Sequence, residues 1–178
     1  MAGTGPEDLH ALAVELLDAC VESLDTIPTF NPGLAGAPER RFVSPGLPVW
    51  DCCEMLTVHV DGLSESATSP AGLAQGRRQV YSRINLVSLV VTMSRCIPVI
   101  GGTQLDAIPE PDDLQSAAEQ LNADGWALWN HLFNMIRNEE LFEKCLEIFW
   151  DGMRAVVPSG GCAGWTTVFR VQLDGYED

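Results

Sequence analysis

Basic residues are scarce in this chain. Its 178 residues include nine arginines and a single lysine, Lys144, against 25 aspartates and glutamates, so the formal net charge is −15. This balance argues against stable binding in a nucleic-acid groove, because such binding needs a basic surface that neutralises phosphates. An acidic surface is still compatible with DNA that passes close by without binding.

Long apolar runs are also lacking, and we expect no leader sequence. Residues 86–100 come closest to a membrane span, but polar residues including Arg95 interrupt them, and the stretch is too short to cross a bilayer. The first basic residue is Arg40, so the N-terminus does not have the basic start of a signal peptide. We therefore expect a cytosolic origin and no contact with a membrane.

Motifs that carry catalysis are absent from the sequence. It has no G-x-S-x-G, no phosphate-binding loop, no H-E-x-x-H and no dinucleotide fingerprint. The acidic pairs at 112–113 and 139–140 are explained better by solvated helix starts than by acid–base work. The three histidines are isolated, and a lone histidine is more often structural than catalytic. The histidines are His10, His59 and His131. We therefore expect that the protein has no catalytic residues, binds no cofactor and is not an enzyme.

The six cysteines form no C-x-x-C pair. In a cytosolic chain they are predicted to be buried free thiols. A zinc site built from Cys52, Cys53 and His59 is an alternative, although its spacing fits no usual ligand pattern. We therefore predict no metal; the full set is Cys20, Cys52, Cys53, Cys96, Cys145 and Cys162.

Hydrophobic periodicity supplies the fold prediction. Apolar residues recur at three- and four-residue spacing over 4–24, 112–136 and 138–156, which predicts three helices. Strands are predicted at 49–60 and 79–97. From Trp165 to Leu173 apolar and polar residues alternate, which predicts a half-buried final strand.

These elements predict one α+β domain over residues 1–178, with a small, mainly antiparallel sheet covered by helices. Their order is helix-strand-strand-helix-helix-strand. Stretches rich in proline, glycine and serine predict two long loops, at 28–48 and 61–78.

The tryptophans leave two interpretations open. Trp126 and Trp129 are three residues apart and share one face of a predicted helix. They are explained either by core packing or as aromatic anchors at a subunit interface, where tryptophan is enriched. The five tryptophans are Trp50, Trp126, Trp129, Trp150 and Trp165.

Several short strings, together with the order of elements, resemble the tail terminator proteins of long-tailed, siphovirus-type phages that infect actinobacteria. The strings are Leu-Pro-Val-Trp-Asp at 47–51, Arg-Cys-Ile-Pro at 95–98, Cys-Ala-Gly-Trp at 162–165 and Gln-Leu-Asp-Gly at 172–175. The resemblance covers residues 6–176, and none of the strings is a catalytic motif.

This resemblance implies a structural virion protein. Such proteins form a ring, typically a hexamer, that caps the tail tube, stops its polymerisation and joins the tail to the head connector. The implied partners are further copies of the chain, the major tail tube protein, a head–tail connector or stopper protein, and double-stranded DNA that crosses the lumen without specific binding. The implied location is the head-proximal end of the virion tail, after assembly in the host cytoplasm.

Within such a ring, arginines are natural partners for a neighbour's carboxylates, although a solvated loop charge explains each of them equally well. The predicted interface residues are Arg40, Arg41, Arg77, Arg78 and Arg170. The predicted lumen-facing acids are Asp106, Glu110, Asp112 and Asp113. Two alternatives remain open: another head–tail connector or stopper protein, and a small cytosolic enzyme or ligand-binding domain with an apolar pocket under its sheet.

Overall fold

The computed structural model describes residues 6–26, 36–46, 54–66, 84–98, 108–143, 145–159 and 161–173. Within these stretches the chain forms two helices and five strands. The helices are α1 (Pro6–Asp25) and α2 (Pro111–Arg137), and the strands are β1 (Arg40–Ser44), β2 (Met55–Ser66), β3 (Ile84–Cys96), β4 (Cys145–Ser159) and β5 (Cys162–Leu173).

The five strands form one mixed sheet in the spatial order β1-β2-β3-β5-β4. Strand β1 runs parallel to β2, while the β2–β3, β3–β5 and β5–β4 pairs are antiparallel. Strands β4 and β5 form a hairpin, and Gly161 at its turn has a φ of +83°, a conformation that glycine adopts without steric cost. The sheet therefore has β1 at one edge and β4 at the other.

Both helices contribute to a single hydrophobic core with one face of the sheet. Leu16 and Leu24 of α1 and Leu128 and Leu132 of α2 are buried there, because their spacing places them along one side of each helix. From the sheet, alternate residues of the three inner strands enter the same core, as a period of two requires. They are Leu56 and Val58 of β2, Val87, Leu89, Val91 and Met93 of β3, and Phe169, Val171 and Leu173 of β5.

The predicted order helix-strand-strand-helix-helix-strand is wrong, because the described residues form two helices and a five-stranded mixed sheet. The helix predicted over 138–156 is largely strand β4. Register shifts interrupt β4 at Cys145/Glu147, Trp150/Met153 and Val156/Ser159. Each bulge adds a residue to the strand, so the apolar positions lose their period of two and imitate the spacing of a helix.

The parallel strand β1 was not predicted at all. It has only five residues and lies within the loop predicted at 28–48. Strand β2 also continues to Ser66, six residues into the loop predicted at 61–78. A short edge strand after a proline-rich stretch gives too few alternating positions for a pattern to be recognised.

The cysteine prediction is confirmed for some thiols and wrong for one. Cys20 and Cys145 are free thiols, and burial raises the pKa of Cys20 to about 12 and that of Cys145 to about 11. Cys96 instead belongs to a disulfide.

A buried ion pair joins the end of β3 to the middle of α2. The side chains of Arg95 and Asp124 are both fully buried, and Nε of Arg95 donates to Oδ2 of Asp124 at 2.9 Å. Nη2 of Arg95 donates to Oδ1 of Asp124 at 3.3 Å and also to the carbonyl oxygen of Gly36. Gln120, one turn earlier on α2, donates to the same carboxylate at 3.1 Å. This pair fixes the middle of α2 over the end of β3.

Electrostatics make the ion pair sensitive to the loss of either partner. Burial raises the pKa of Asp124, and the hydrogen bonds and charge of Arg95 oppose that rise. Neither charged side chain is exposed to water. Each charge has therefore lost its hydration and is stabilised by the opposite charge of its partner.

We predict that Asp124→Ala destabilises the fold by about 3–5 kcal/mol, because it leaves the guanidinium of Arg95 buried without a counter-charge. Urea unfolding followed by tryptophan fluorescence measures the change. The control, Asp112→Ala, removes an exposed acid from the first turn of the same helix and is expected to cost less than about 1 kcal/mol. Equal losses in the two variants would show that the ion pair does not fix α2.

Candidate functional site

A ladder of aromatic rings connects α2 to the β4–β5 hairpin. The ring centroids of Trp129 and Trp150 are 4.4 Å apart, and those of Trp150 and Phe169 are 5.2 Å apart. Trp150 also donates a hydrogen bond from Nε1 to the hydroxyl of Thr167. Contacts between neighbouring rings add to the burial energy of each one, so the ladder holds α2 firmly against β4.

A row of aromatic residues lies on the exposed side of α2 and shares Trp129 with this ladder. Trp126, Trp129 and Phe133 follow one another at three- and four-residue spacing, which places them on one helix face. They are 70%, 39% and 47% exposed, respectively, and the rings of Trp129 and Phe133 lie nearly parallel. We call these three residues the aromatic strip.

A groove of about 300 Å³ lies beside the aromatic strip, between α2 and the β4–β5 hairpin, and is open on one side. Its surface is almost entirely apolar, and three of its six lining residues are tryptophans. The groove is lined by Asn122, Gly125, Trp126, Trp129, Met153 and Trp165.

The floor of the groove is rigid because Trp165 is fixed from two sides. Its Nε1 donates a hydrogen bond to the carbonyl oxygen of Leu121 at 2.7 Å. A Cβ atom built on Gly125 would lie only 2.6 Å from the indole ring of Trp165. Only glycine therefore lets α2 come this close to β5.

The stretch of α2 that carries the strip has no acid of its own, although Oε2 of Glu22 on α1 lies 4.0 Å from Nε2 of His131. Residues 125–138 contain no aspartate or glutamate in a chain of net charge −15, and the one acid just before them, Asp124, is buried. The exposed polar neighbours on this part of α2 include Asn122, Asn130 and Asn134. Enrichment in aromatics and depletion of charge are typical of the centre of a protein–protein interface, and clustered exposed apolar side chains mark such sites.

Some of the tryptophans therefore fit core packing, and others fit the role of interface anchors. Trp150 and Trp165 pack against the hydrophobic core. Trp126 is largely exposed and matches the interpretation as an interface anchor, while Trp129 has one part in the ladder and another at the surface. Trp50 lies outside the described residues.

The arginines predicted at an interface are not brought together. Arg40 and Arg41 are exposed on the edge strand β1. Arg170 is exposed on β5, where it forms an ion pair with Asp151 of β4, so part of its charge is already compensated within the subunit. Arg77 and Arg78 lie outside the described residues.

Three of the acids predicted to face a lumen do lie close together. Glu110 immediately precedes α2, and Asp112 and Asp113 occupy its first turn; all three are exposed. Negative charge is stabilised there by the partial positive charge of a helix N-terminus. Asp106 lies outside the described residues.

The histidines show no arrangement for metal binding in the part of the chain that the structure describes, where no group of three His, Cys, Asp or Glu residues gathers at one point. For the zinc alternative, Cys52 and Cys53 lie outside the described residues. His59 is buried on β2, and neither of its ring nitrogens has a hydrogen-bond partner. The hydroxyls of Thr57 and Ser94 are also buried without partners.

Sequence reasoning did not identify Phe133, Met153 and Gly125 as parts of the site. Phe133 and the absence of acids over 125–138 were visible in the sequence, and together they were a usable signal. The contributions of Met153 and Gly125 depend on tertiary contacts, so no local pattern would have found them.

A scan of protein-family models finds no match to this chain, and a search of curated proteins finds no significant match either. Neither described helix combines the length and apolarity needed to cross a membrane.

We predict that Gly125→Ala destabilises the fold by about 1–3 kcal/mol, since the added methyl group overpacks against Trp165. A loss of stability is informative here, because helix propensity alone would make alanine more stable than glycine by about 1 kcal/mol. Urea unfolding measures the change. In a Trp165→Leu background the same substitution should become neutral or stabilising; an unchanged penalty there would contradict the proposed clash. The control, Gly62→Ala, places a methyl group in open space.

We predict that the fold loses stability as the pH falls below about 6.5, partly through His59. Burial lowers the pKa of His59, and the charge of Asp61 only partly opposes this. The unfolded chain therefore binds a proton at a pH where the folded chain does not, and acid favours unfolding. Urea unfolding at about pH 7.5 and about pH 5.5 should show a smaller loss for His59→Gln than for the native chain. His10→Gln, at an exposed position, is the control. A loss equal in all three proteins would exclude this role of His59.

Proposed function

We propose that this protein is a tail terminator, a structural virion protein that forms a ring on the end of a long-tailed phage's tail tube. The observation that carries the proposal is the aromatic strip, with Trp126 70% exposed on a stretch of α2, residues 125–138, that contains no acid. Such a surface suits permanent contact with another protein subunit. The short strings that resemble tail terminator sequences are the reason for proposing this kind of assembly.

Hydrophobic burial at the strip contributes to holding subunits together. An aromatic side chain buries about 150–250 Å² when it is fully covered, and each Å² of apolar surface contributes roughly 25 cal/mol. Covering the exposed parts of three rings therefore contributes several kcal/mol, before the cost of association. The strip is thus a credible anchor within a wider interface.

Charge explains why subunits would meet at this surface. Copies with a net charge of −15 repel one another, and contact across an acidic surface would increase that repulsion. Residues 125–138 of α2 contain no acid, so this stretch adds no repulsion of its own when another acidic copy approaches. Association through it should strengthen as added salt screens the remaining repulsion.

The acids at the start of α2 fit the same role. Glu110, Asp112 and Asp113 form an exposed negative cluster that we assign to the lumen. DNA that passes such a wall is repelled by like charge and does not adhere to it. The ring's two ends would contact the tail tube protein and the head connector.

A small-molecule site is the less favoured use of the groove. Its volume of about 300 Å³ is at the lower end of the range for ligand pockets, and it is open on one side. A side chain from another protein suits such a groove better than an enclosed ligand does.

We predict that the native protein forms a closed oligomer in solution and that Trp126→Ser combined with Phe133→Ser converts it to a monomer. Sedimentation velocity at several protein and salt concentrations measures the mass. The control is Leu114→Ser, which removes another exposed apolar side chain of α2 outside the strip and should leave the oligomer intact. Thermal unfolding of each variant checks that the fold persists.

The capping activity is tested by adding the protein to the major tail tube protein while tubes polymerise. Native protein should bind tube ends and limit tube length, whereas the Trp126→Ser, Phe133→Ser variant should not. A native protein that is strictly monomeric at all concentrations, or tubes of unchanged length, would contradict the proposal.

A further inference from the structure

A closed ring requires two different surfaces on each subunit, because head-to-tail contact joins one patch to another. The aromatic strip lies beside β4, one edge strand of the sheet. The opposite edge is β1, which carries the exposed residues Arg40, Arg41 and Phe42. The two edges therefore face away from each other across one subunit, as head-to-tail contact demands.

The pairing register shows which arginine lies on the same side of the sheet as the groove. Val43 is aligned with Val58 of β2 and packs against the core beneath the helices. Arg41 is aligned with Leu56, which is buried in the same core. Because side chains alternate along a strand, Arg41 lies on the helix-covered side of the sheet, and Arg40 lies on the opposite side.

The groove has the chemistry of a receptor for a cation. The indoles of Trp126, Trp129 and Trp165 line it, and its lining includes no basic residue. The faces of indole rings attract cations, and the planar guanidinium of arginine stacks on them especially well. A second copy of this chain offers nine arginines and one lysine, so arginine is the cation that a ring of identical subunits supplies.

We propose that Arg41 on the β1 edge of one subunit inserts its guanidinium into the groove beside Trp126 of the next subunit. This contact rests on the proposed ring and names the two surfaces that close it. Phe42 follows Arg41 on the strand and therefore lies on the opposite face, with Arg40, outside this contact. The strip and the β1 edge are thus the two halves of one repeated interface.

Arg41→Ala tests the contact, and Arg40→Ala is its matched control, because it removes the neighbouring arginine on the other face of the strand. Analytical ultracentrifugation gives the dissociation constant between subunits. Arg41→Ala should raise this constant at least about tenfold, as expected for an anchor in an aromatic pocket, and Arg40→Ala should change it less than about twofold. Arg41→Lys should also weaken association, because lysine keeps the charge and loses the planar stacking.

A double-mutant cycle shows whether Arg41 and Trp126 act on each other. If they do, Arg41→Ala in a Trp126→Leu background should weaken association much less than it does in the native background. Equal effects in both backgrounds would overturn the proposal, and so would equal effects of Arg41→Ala and Arg40→Ala. Melting temperatures confirm that every variant is folded.

The groove itself is tested with a small probe. N-acetyl-arginine amide added to the Arg41→Ala variant should shift the indole N–H signals of Trp126 and Trp129 in NMR spectra. N-acetyl-citrulline amide, a neutral molecule of nearly the same shape, should leave them unchanged. Equal responses to the two probes, or no response to either, would show that the groove is not a cation receptor.

These outcomes separate the contact from the proposed function. A native protein that never assembles contradicts the ring and the contact that rests on it. A native ring that is insensitive to Arg41→Ala leaves the proposed function standing and overturns the contact alone.

Discussion

The arrangement of the whole molecule depends on the buried ion pair between Arg95 and Asp124. It places a positive charge from the end of β3 and a negative charge from the middle of α2 together in the interior, with neither in contact with water. The long helix α2 is held at this point and by Trp165, which contacts Leu121 and Gly125 on either side of Asp124. The Trp129–Trp150–Phe169 ladder holds it further along. An arrangement of helix and sheet that separated the two charges would leave each one buried without a partner, which is strongly destabilising.

The surface features follow from that placement. Because Asp124 points into the interior, the neighbouring Trp126 is turned outward, and the close approach at Gly125 forms the floor of the groove. The same helix thus supplies the anchor of the fold and the surface that we assign to assembly. An acidic chain with one charge-depleted aromatic surface is suited to repeated contact with its own copies and poorly suited to binding nucleic acid.

Local pattern predicted the elements whose side chains keep one period. The spacing of Leu9, Leu12 and Leu16 predicted α1, and the alternation from Trp165 to Leu173 predicted β5. It failed for β4, where bulges break the period of two, and for β1, which is too short. The pairing of Arg95 with Asp124, 29 residues apart, depends on tertiary structure. The sequence predicted that Trp126 and Trp129 share one helix face. It did not predict whether that face is buried in the core or exposed at an interface, because a three-residue spacing occurs in both.

We propose that subunits meet through the aromatic strip of α2, and a cryo-electron microscopy reconstruction of the assembled protein tests this contact most directly. We expect a closed ring in which the Trp126 indole is covered by the β1 edge of the neighbouring subunit. A ring in which Trp126 remains exposed to solvent, with subunits joined through another surface, would contradict it.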